Sequence, residues 1–367
     1  MTVLNLYRLW LFQNQINNGI QITKNRFLLH SLLKNKCIDV SYYSTLKNLP
    51  ADSPMNIFDR NAKIIQKERA SLSPDIELYD YLKEEVGYRL ADRVFDIKRT
   101  FKCAVDLGCN RGFVSRHILR ESVEKLIMCD SSPSLLKQAK LPEEGVITEK
   151  IVVDEENLPF EPESLDLVIS NLSLHWVNNL PGTFAQIMQC LKKDGVFMAC
   201  VFGGDTLFEL RCSLQLAELE RVGGISPHIS PFTEVRDIGS LLTRAGFTML
   251  TVDSDEIVVG YPSMFELMLD LKGMGESNAA RNRSLHLSRE KMFAAAAIYN
   301  ELYGKDGQIP ATFHILYMLG WKPDPSQPKP LARGSGEVSL KDLYRLDEVI
   351  KKTGTVKIDD NDKDIKY

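Results

Sequence analysis

Five short apolar runs recur through the middle of the chain and constrain it more than any other feature. They are KCAVDLG from Lys102, KLIMCD from Lys125, EKIVVD from Glu149, LDLVISN from Leu165 and GVFMACVF from Gly195. Each is short, rich in Val, Ile, Leu and Met, and set off from the next by helical or turn-like sequence. Near-continuous apolar strands alternating with helices predict a parallel sheet covered on both faces, a three-layer α/β/α architecture. TMLTVDSDEIVV near 248–259 and TFHILYMLGW near 312–321 read as two further strands.

The rest of the chain arranges itself around this sheet. Residues 51–100 read as N-terminal helices, MNIFDRNAKIIQKERA and LYDYLKEEVGYRLADRVFDI, with apolar residues returning every three or four positions. The sheet-bearing domain is expected over 101–322. Two long inserts interrupt it, at about 203–247 and 261–310, and additions of that length to a compact fold predict a lid. In them ELRCSLQLAELERV, TEVRDIGSLLTRAGF, MFELMLDLKGMG and SREKMFAAAAIYNELYG are helical, and GGISPHISPF is a turn region. The AAAAI run and Met264, Met268 and Met274 read as packing surface. Residues 323–367 read as a flexible tail rich in Pro, Gly and charge.

Residues 1–50 contain six Lys or Arg and one acid, Asp39, so the chain's net charge of −4 combines a basic leader with an acidic body. Scattered bases with apolar stretches such as LYRLWLF have the composition of a mitochondrial transit peptide. Neither apolar stretch reaches the ~20 residues that span a bilayer. An acidic body without a basic stripe argues against nucleic-acid binding. The seven cysteines are an odd set lying partly in strand-like runs, which fits free thiols in a reducing compartment. No CxxC pair or Cys/His cluster has metal-ligand spacing, so no residue is assigned to a metal.

The chemistry is expected at the carboxyl ends of the strands, where ligands of open parallel sheets bind. In AVDLGCNRGFVS, Gly108 and Gly112 let the backbone turn and approach a ligand without a Cβ in the way. Asp106 near the loop entry can accept backbone N–H groups or reach a ligand through water. Asn110 stands where a third glycine is common, and asparagine is among the few residues that enter the left-handed region readily. Asp130 ends the second strand, where an acid can accept both hydroxyls of a ribose. Asp154 ends the third, placed for the amino edge of an adenine.

VDLGCNRG, MCDSSPSLL, VVDEENLPF, LDLVISNLSLHWV and LKKDGVFMA together resemble the successive motifs of class I S-adenosylmethionine-dependent methyltransferases, over roughly Phe101–Phe202. The resemblance implies a Rossmann-like sheet of seven strands with the last antiparallel, and S-adenosyl-L-methionine as cofactor. It implies that Gly108 and Gly112, with Cys109 and Asn110 between them, line the methionine part. Asp130 with Ser131 would bind ribose, Asp154 with Glu155 would lie beside adenine, and Asn171 and Leu172 would close the fourth strand under the sulfonium. A narrower likeness runs from about Met55 to Trp321, through SLSLHWVNNLPG, FGGDTLFELRCSLQLAE, SPHISPFTEVRDIG and MFELMLDLKGMGESN. These stretches are similar to the arginine-hydroxylating family of mitochondrial complex I assembly factors. That likeness implies a matrix enzyme, peripheral on the inner membrane, acting with other assembly factors on an arginine of a core matrix-arm subunit.

The residues themselves leave three chemistries open: arginine hydroxylation, conventional methyl transfer to a protein side chain or small molecule, and a non-catalytic assembly chaperone. His175 and Trp176 after strand four, Asp205 and Glu209 after strand five, and His228 in SPHISP are the candidate catalytic residues. None of the six histidines begins an HxD or HxE pair of the non-haem iron type. A guanidinium wants a carboxylate fork or an aromatic face, and Asp205, Glu209 and Glu276 with Trp176 and Tyr261 supply those groups from segments expected to converge.

Overall fold

The computed structural model describes residues 56–328; the expected leader over 1–50 and the tail beyond residue 328 lie outside them. The chain divides into two units, Met1–Asp59 and Arg60–Tyr367, and every element named here belongs to the second. Two helices come first, α1 (Arg60–Ser71) and α2 (Tyr81–Phe95), with a 3-10 turn at Ile76–Tyr79 between them. Then follow β1 (Phe101–Leu107), β2 (Val123–Asp130), α3 (Pro133–Gln138), β3 (Ile147–Val152), β4 (Leu165–Asn171), α4 (Leu180–Cys190) and β5 (Leu191–Phe202). The first insert carries α5 (Phe208–Val222) and α6 (Val235–Ala245) ahead of β6 (Thr248–Tyr261). The second carries α7 (Met264–Gly273) and α8 (Arg289–Tyr303) ahead of β7 (Ile309–Trp321).

The seven strands form one sheet in the order β3-β2-β1-β4-β5-β7-β6. Strands β1 to β5 pair in parallel, and β7 lies antiparallel to both β5 and β6. Strand order therefore reverses between β1 and β4, whose pairing sets Asp106 opposite Ile169. The period-2 alternation of strands divides the core in two. Val196, Met198, Cys200 and Phe202 of β5 join α2, α5, α7 and α8 on one face, while Phe197, Ala199 and Val201 join α4 and α6 on the other. Central strands are buried on both faces; the edge strands β3 and β6 carry exposed residues along their length, which suits a sheet margin in water. Ala295, Met264 and Met274 are buried in the first core, as packing residues. Among the described residues no helix is long and apolar enough to cross a membrane.

Two local features depart from the periodicity in the sequence. After the glycine loop amphipathic sequence resumes, yet the chain makes turns and a 3-10 helix at Ser115–His117 before β2. Helix α2 packs closely on that turn: a Cβ on Gly87 would lie 2.7 Å from the Phe113 carbonyl oxygen. Arg111 of the loop pairs with Asp80 at the start of α2, an ion pair almost wholly out of water. Helix α1 is the second departure. Its buried face includes Lys63 and Lys67 as well as Ile64 and Ala70, while Ile65 is exposed.

Candidate functional site

The loop after β1 folds as its residue types allow. Gly108, Asn110 and Gly112 have φ of 73°, 54° and 74°, so Asn110 occupies the left-handed region that asparagine tolerates. A Cβ on Gly108 would lie 2.3 Å from Ser173 Oγ, and one on Gly112 would lie 2.4 Å from the Lys140 carbonyl oxygen. Both glycines are thus required by the crossing of neighbouring chain as well as by conformation. The amides of Gly108 and Cys109 both donate to the Cys129 carbonyl at 2.8 Å, which ties the loop to the end of β2. The Cys109 side chain is itself buried.

Asp130, fully buried at the end of β2, closes this arrangement. Its two oxygens accept from the amides of Asn110 at 2.9 Å and Ser132 at 2.8 Å. Ser132 also caps α3 through Leu135, with Pro133 in the first turn. Asp106 accepts from the Ser115 hydroxyl at 2.6 Å through one oxygen. The other oxygen is buried without a partner among the described residues. Burial pushes the Asp106 carboxyl up to about 7, with the Ser115 hydroxyl drawing it back.

The acids at the strand ends are paired with the cations of α1, which sequence reasoning missed. Lys67 Nζ lies 3.3 and 3.2 Å from the two oxygens of Asp130, 3.4 Å from Ser131 Oγ and 3.7 Å from Glu155. Arg60 donates to Asp154 at 2.7 Å, to Glu155, and to the Trp176 carbonyl at 3.3 Å. Burial disfavours the charge on Glu155, but Arg60 and Lys67 outweigh it and hold the carboxyl at about 2, helped by the Ser173 hydroxyl at 2.7 Å. The signal in the sequence was the spacing of Arg60, Lys63 and Lys67, which puts three bases on one helical face.

The five candidate catalytic residues do not all come together. His175 and Trp176, in a 3-10 turn after β4, meet at Glu276: Trp176 Nε1 donates to Glu276 Oε2 at 2.8 Å, and His175 Nε2 lies 3.4 Å from the same oxygen. A carboxylate only accepts, so the hydrogen bond assigns the proton to Nε2 and leaves Nδ1 as the acceptor. Burial lowers the His175 pKa, which keeps the ring neutral, and Nδ1 has no partner among the described residues. Asp205, by contrast, is largely exposed, with the His314 ring 3.8 Å away. Glu209 is buried and accepts from the Thr312 amide at 3.3 Å and the Thr312 hydroxyl, an anchor between α5 and β7. His228 lies 2.9 Å from the buried Glu218. The expected convergence of Asp205, Glu209 and Glu276 on one ligand is therefore corrected to Glu276 with Trp176. Tyr261 is turned instead toward the hydroxyl of Tyr81. Asn171 donates to the Lys83 carbonyl at 3.1 Å and accepts from Cys200 Sγ at 3.0 Å, while Leu172, with φ of 45°, is buried at the strand end.

Glu276 is the centre of a second charged group. Lys83 Nζ lies 2.7 Å from its Oε1 and Lys63 Nζ 3.9 Å from its Oε2. Burial opposes the charge, yet Lys83 and Lys63 hold this carboxyl well below the ordinary range. Trp176 and Glu276 also line a cavity of about 280 Å³ whose walls are mainly apolar, including Phe202, Leu210, Phe232, Met268 and Phe313, with His228 among its polar groups. Residues of both inserts, among them Leu210 and Met268, thus line this chamber together with Phe202 of β5 and Phe313 of β7. Among the described residues no three His, Cys, Asp or Glu side chains are grouped to hold a metal ion.

Residues 105–199 match the family described as "Methyltransferase domain". The chain is 55% identical over 303 residues to "Arginine-hydroxylase NDUFAF5, mitochondrial" of Danio rerio, covering 82% of this chain and 94% of that one. Identity to the Homo sapiens protein of the same name is 54% over 297 residues, covering 81% and 86%. A more distant relative, the "Malonyl-[acyl-carrier protein] O-methyltransferase" of Methylovorus sp. (strain MP688), is 30% identical over 276 residues, covering 72% and 91%. With 54–55% identity over about four-fifths of its length and 86–94% of such relatives, and its sheet of methyltransferase type, the chain belongs to the NDUFAF5 arginine-hydroxylase family.

Proposed function

We propose that this chain hydroxylates an arginine side chain of a core matrix-arm subunit of mitochondrial complex I, on a fold that binds S-adenosylmethionine. The observation that carries the reading to this chain's own site is the apolar chamber ending in Trp176 and Glu276. Its walls suit the methylenes of a long side chain, and its end supplies an indole and a buried carboxylate, the groups a guanidinium prefers.

The residues at the strand ends fit the cofactor. Asp106 keeps an orphaned buried oxygen beside the glycine loop, and Asp130, Asp154 and Glu155 form an acceptor set at the ends of β2 and β3. Gly108, Cys109, Asn110 and Gly112 would bound the methionine part, Asp130 and Ser131 the ribose, Asp154 and Glu155 the adenine, with Asn171 and Leu172 beneath. When bound, S-adenosylmethionine supplies a sulfonium and an electrophilic methyl group. Lys67 and Arg60 now engage the same acceptors, so binding requires α1 to release them. His175 contributes a neutral imidazole, oriented by Glu276, whose Nδ1 can take a proton.

Mass spectrometry of the complex I matrix-arm subunits from cells with and without the protein tests the function. A +16 Da arginine that disappears with the protein is the expected result. A +14 Da change would assign methyl transfer instead, and failed assembly with no mass change a chaperone.

A further inference from the structure

Lys63 sits among several groups that bind cations. Its ammonium sits 3.3 Å from the centroid of the Trp176 ring, donates to the carbonyls of Gly275 at 2.9 Å and Ser277 at 3.2 Å, and lies 3.9 Å from Glu276. Indole face, two carbonyl acceptors and a carboxylate thus surround one charge, and Lys63 is 3 % exposed. An ammonium has three N–H groups on one tetrahedral nitrogen and cannot lie flat on a ring. A guanidinium is planar, stacks on an indole, and has five N–H donors fanned in its plane. The surrounding groups match the planar ion better than the ion they hold.

The geometry points to a guanidinium site, made of the Trp176 ring face, the Glu276 carboxylate and the carbonyls of Gly275 and Ser277, which Lys63 fills until an arginine side chain displaces it. Trp176, Glu276 and Ser277 also line the 280 Å³ cavity, so three of the site's groups border the chamber. A volume near the lower end of small-molecule sites, roughly 300 Å³, accommodates one long side chain rather than a folded peptide segment. The inference rests on the arginine reading above and names the groups that would hold the substrate.

Charge explains how an arginine can compete with a lysine already tethered there. Burial pushes the Lys63 ammonium well below its ordinary value, and the neighbouring Lys83, Lys67 and Arg60 add to this against the pull of Glu276. Lys63 therefore gives up its proton, and with it its hold on Glu276, far more readily than a guanidinium, which stays charged in proteins. The exchange replaces one cation beside Glu276 with another, while Lys83 stays 2.7 Å from its Oε1. A citrulline side chain has nearly the same shape but no charge, and gains neither the carboxylate nor the cation–π contact.

Calorimetric titration of the full chain with Nα-acetyl-L-arginine methylamide, and with its citrulline counterpart, tests the site in the wild type, Lys63→Met and Glu276→Gln. The expected pattern is weak binding of the arginine amide to the wild type, about tenfold tighter binding to Lys63→Met, or 1.4 kcal/mol, and at least tenfold weaker binding to Glu276→Gln. The citrulline amide should bind none of them. Lys63→Gln, which keeps two donors without the charge, serves if the Met variant does not fold. Folded Lys63 variants that bind the arginine amide no tighter than the wild type, or Glu276→Gln that binds it equally well, overturn the site. If Glu276→Gln still yields the +16 Da product with unchanged affinity, the site fails and hydroxylation stands. If affinities follow the expected pattern but the wild type yields no +16 Da product, the site stands and the hydroxylase reading fails.

Discussion

Lys67→Met tests whether α1 and the cofactor compete for one carboxylate. Lys67 Nζ reaches both oxygens of Asp130, at 3.3 and 3.2 Å, and its side chain is 9% exposed. Burial works against the ammonium, but Asp130 and Glu155 outweigh it, so the lysine keeps its proton. Each carboxylate oxygen offers two acceptor positions. The amides of Asn110 and Ser132 take one on each oxygen, and Lys67 covers what remains. A ribose diol can bind Asp130 only by replacing that ammonium. A hydrogen bond to a charged group contributes about 1.5–3 kcal/mol net, which the wild type surrenders on binding and the Met variant does not. S-adenosylhomocysteine should therefore bind the variant about tenfold tighter or more, at 1.4 kcal/mol per decade. The same change should lower the melting temperature, because Asp130 stays buried without its cation. Isothermal titration reads the first effect and a thermal melt the second. Weaker binding in a variant that still melts cooperatively would refute competition and make Lys67 a donor to the cofactor.

Other perturbations separate binding groups from anchors. Asp106 is raised to about 7 from 3.8, so the folded state binds more protons than the unfolded one and stability from this group falls as pH rises from about 4 to about 7; Asp106→Asn should flatten that part of a urea-midpoint profile. Glu155, held at about 2, has the opposite sign: its contribution is present above pH 4.5 and is lost as pH falls toward 2. Gly108→Ala places a methyl against Ser173 at a positive φ, with strain of about 1–3 kcal/mol, and should lower both melting temperature and cofactor affinity. Asn110→Gly keeps the left-handed backbone and should leave affinity within about threefold; a tenfold loss would mean the asparagine side chain itself binds. Thr312→Val removes the hydroxyl that Glu209 accepts from and should cost about 1–3 kcal/mol of stability with cofactor affinity unchanged, as an anchor remote from the strand-end acids would.

The fold was legible because each central strand is buried on both faces and reads as an apolar run, as Val196–Phe202 does. The edges were harder to bound. Strand β6 extends to Tyr261 and β7 begins at Ile309, beyond the apolar stretches, because antiparallel pairing from Thr251↔Leu319 to Tyr261↔Ile309 carries them past the parallel part of the sheet. The chain after Gly112 does not run on as a regular helix, because packing of α2 on Phe113 and the Arg111–Asp80 pair fix it as turns. Tertiary contacts of this kind override local periodicity.

The site was legible only in part, for a reason that lies in charge rather than pattern. Asp130 and Asp154 declare themselves by ending apolar runs, and Asn110 by standing between glycines. The cations that face them do not, since Lys67 meets Asp130 across 63 residues and Lys63 meets Ser277 across 214. A lysine on a helix is read as solvent-facing because burying an ammonium alone is costly, and only the fold reveals that an acid waits for it. Four buried or nearly buried cations, Arg60, Lys63, Lys67 and Lys83, stand among Asp130, Asp154, Glu155 and Glu276. Removing one partner from such a set leaves a buried charge uncompensated, at about 3–5 kcal/mol. The set therefore holds together as a unit, and a ligand opens it at tolerable cost only if it brings donors or a cation of its own.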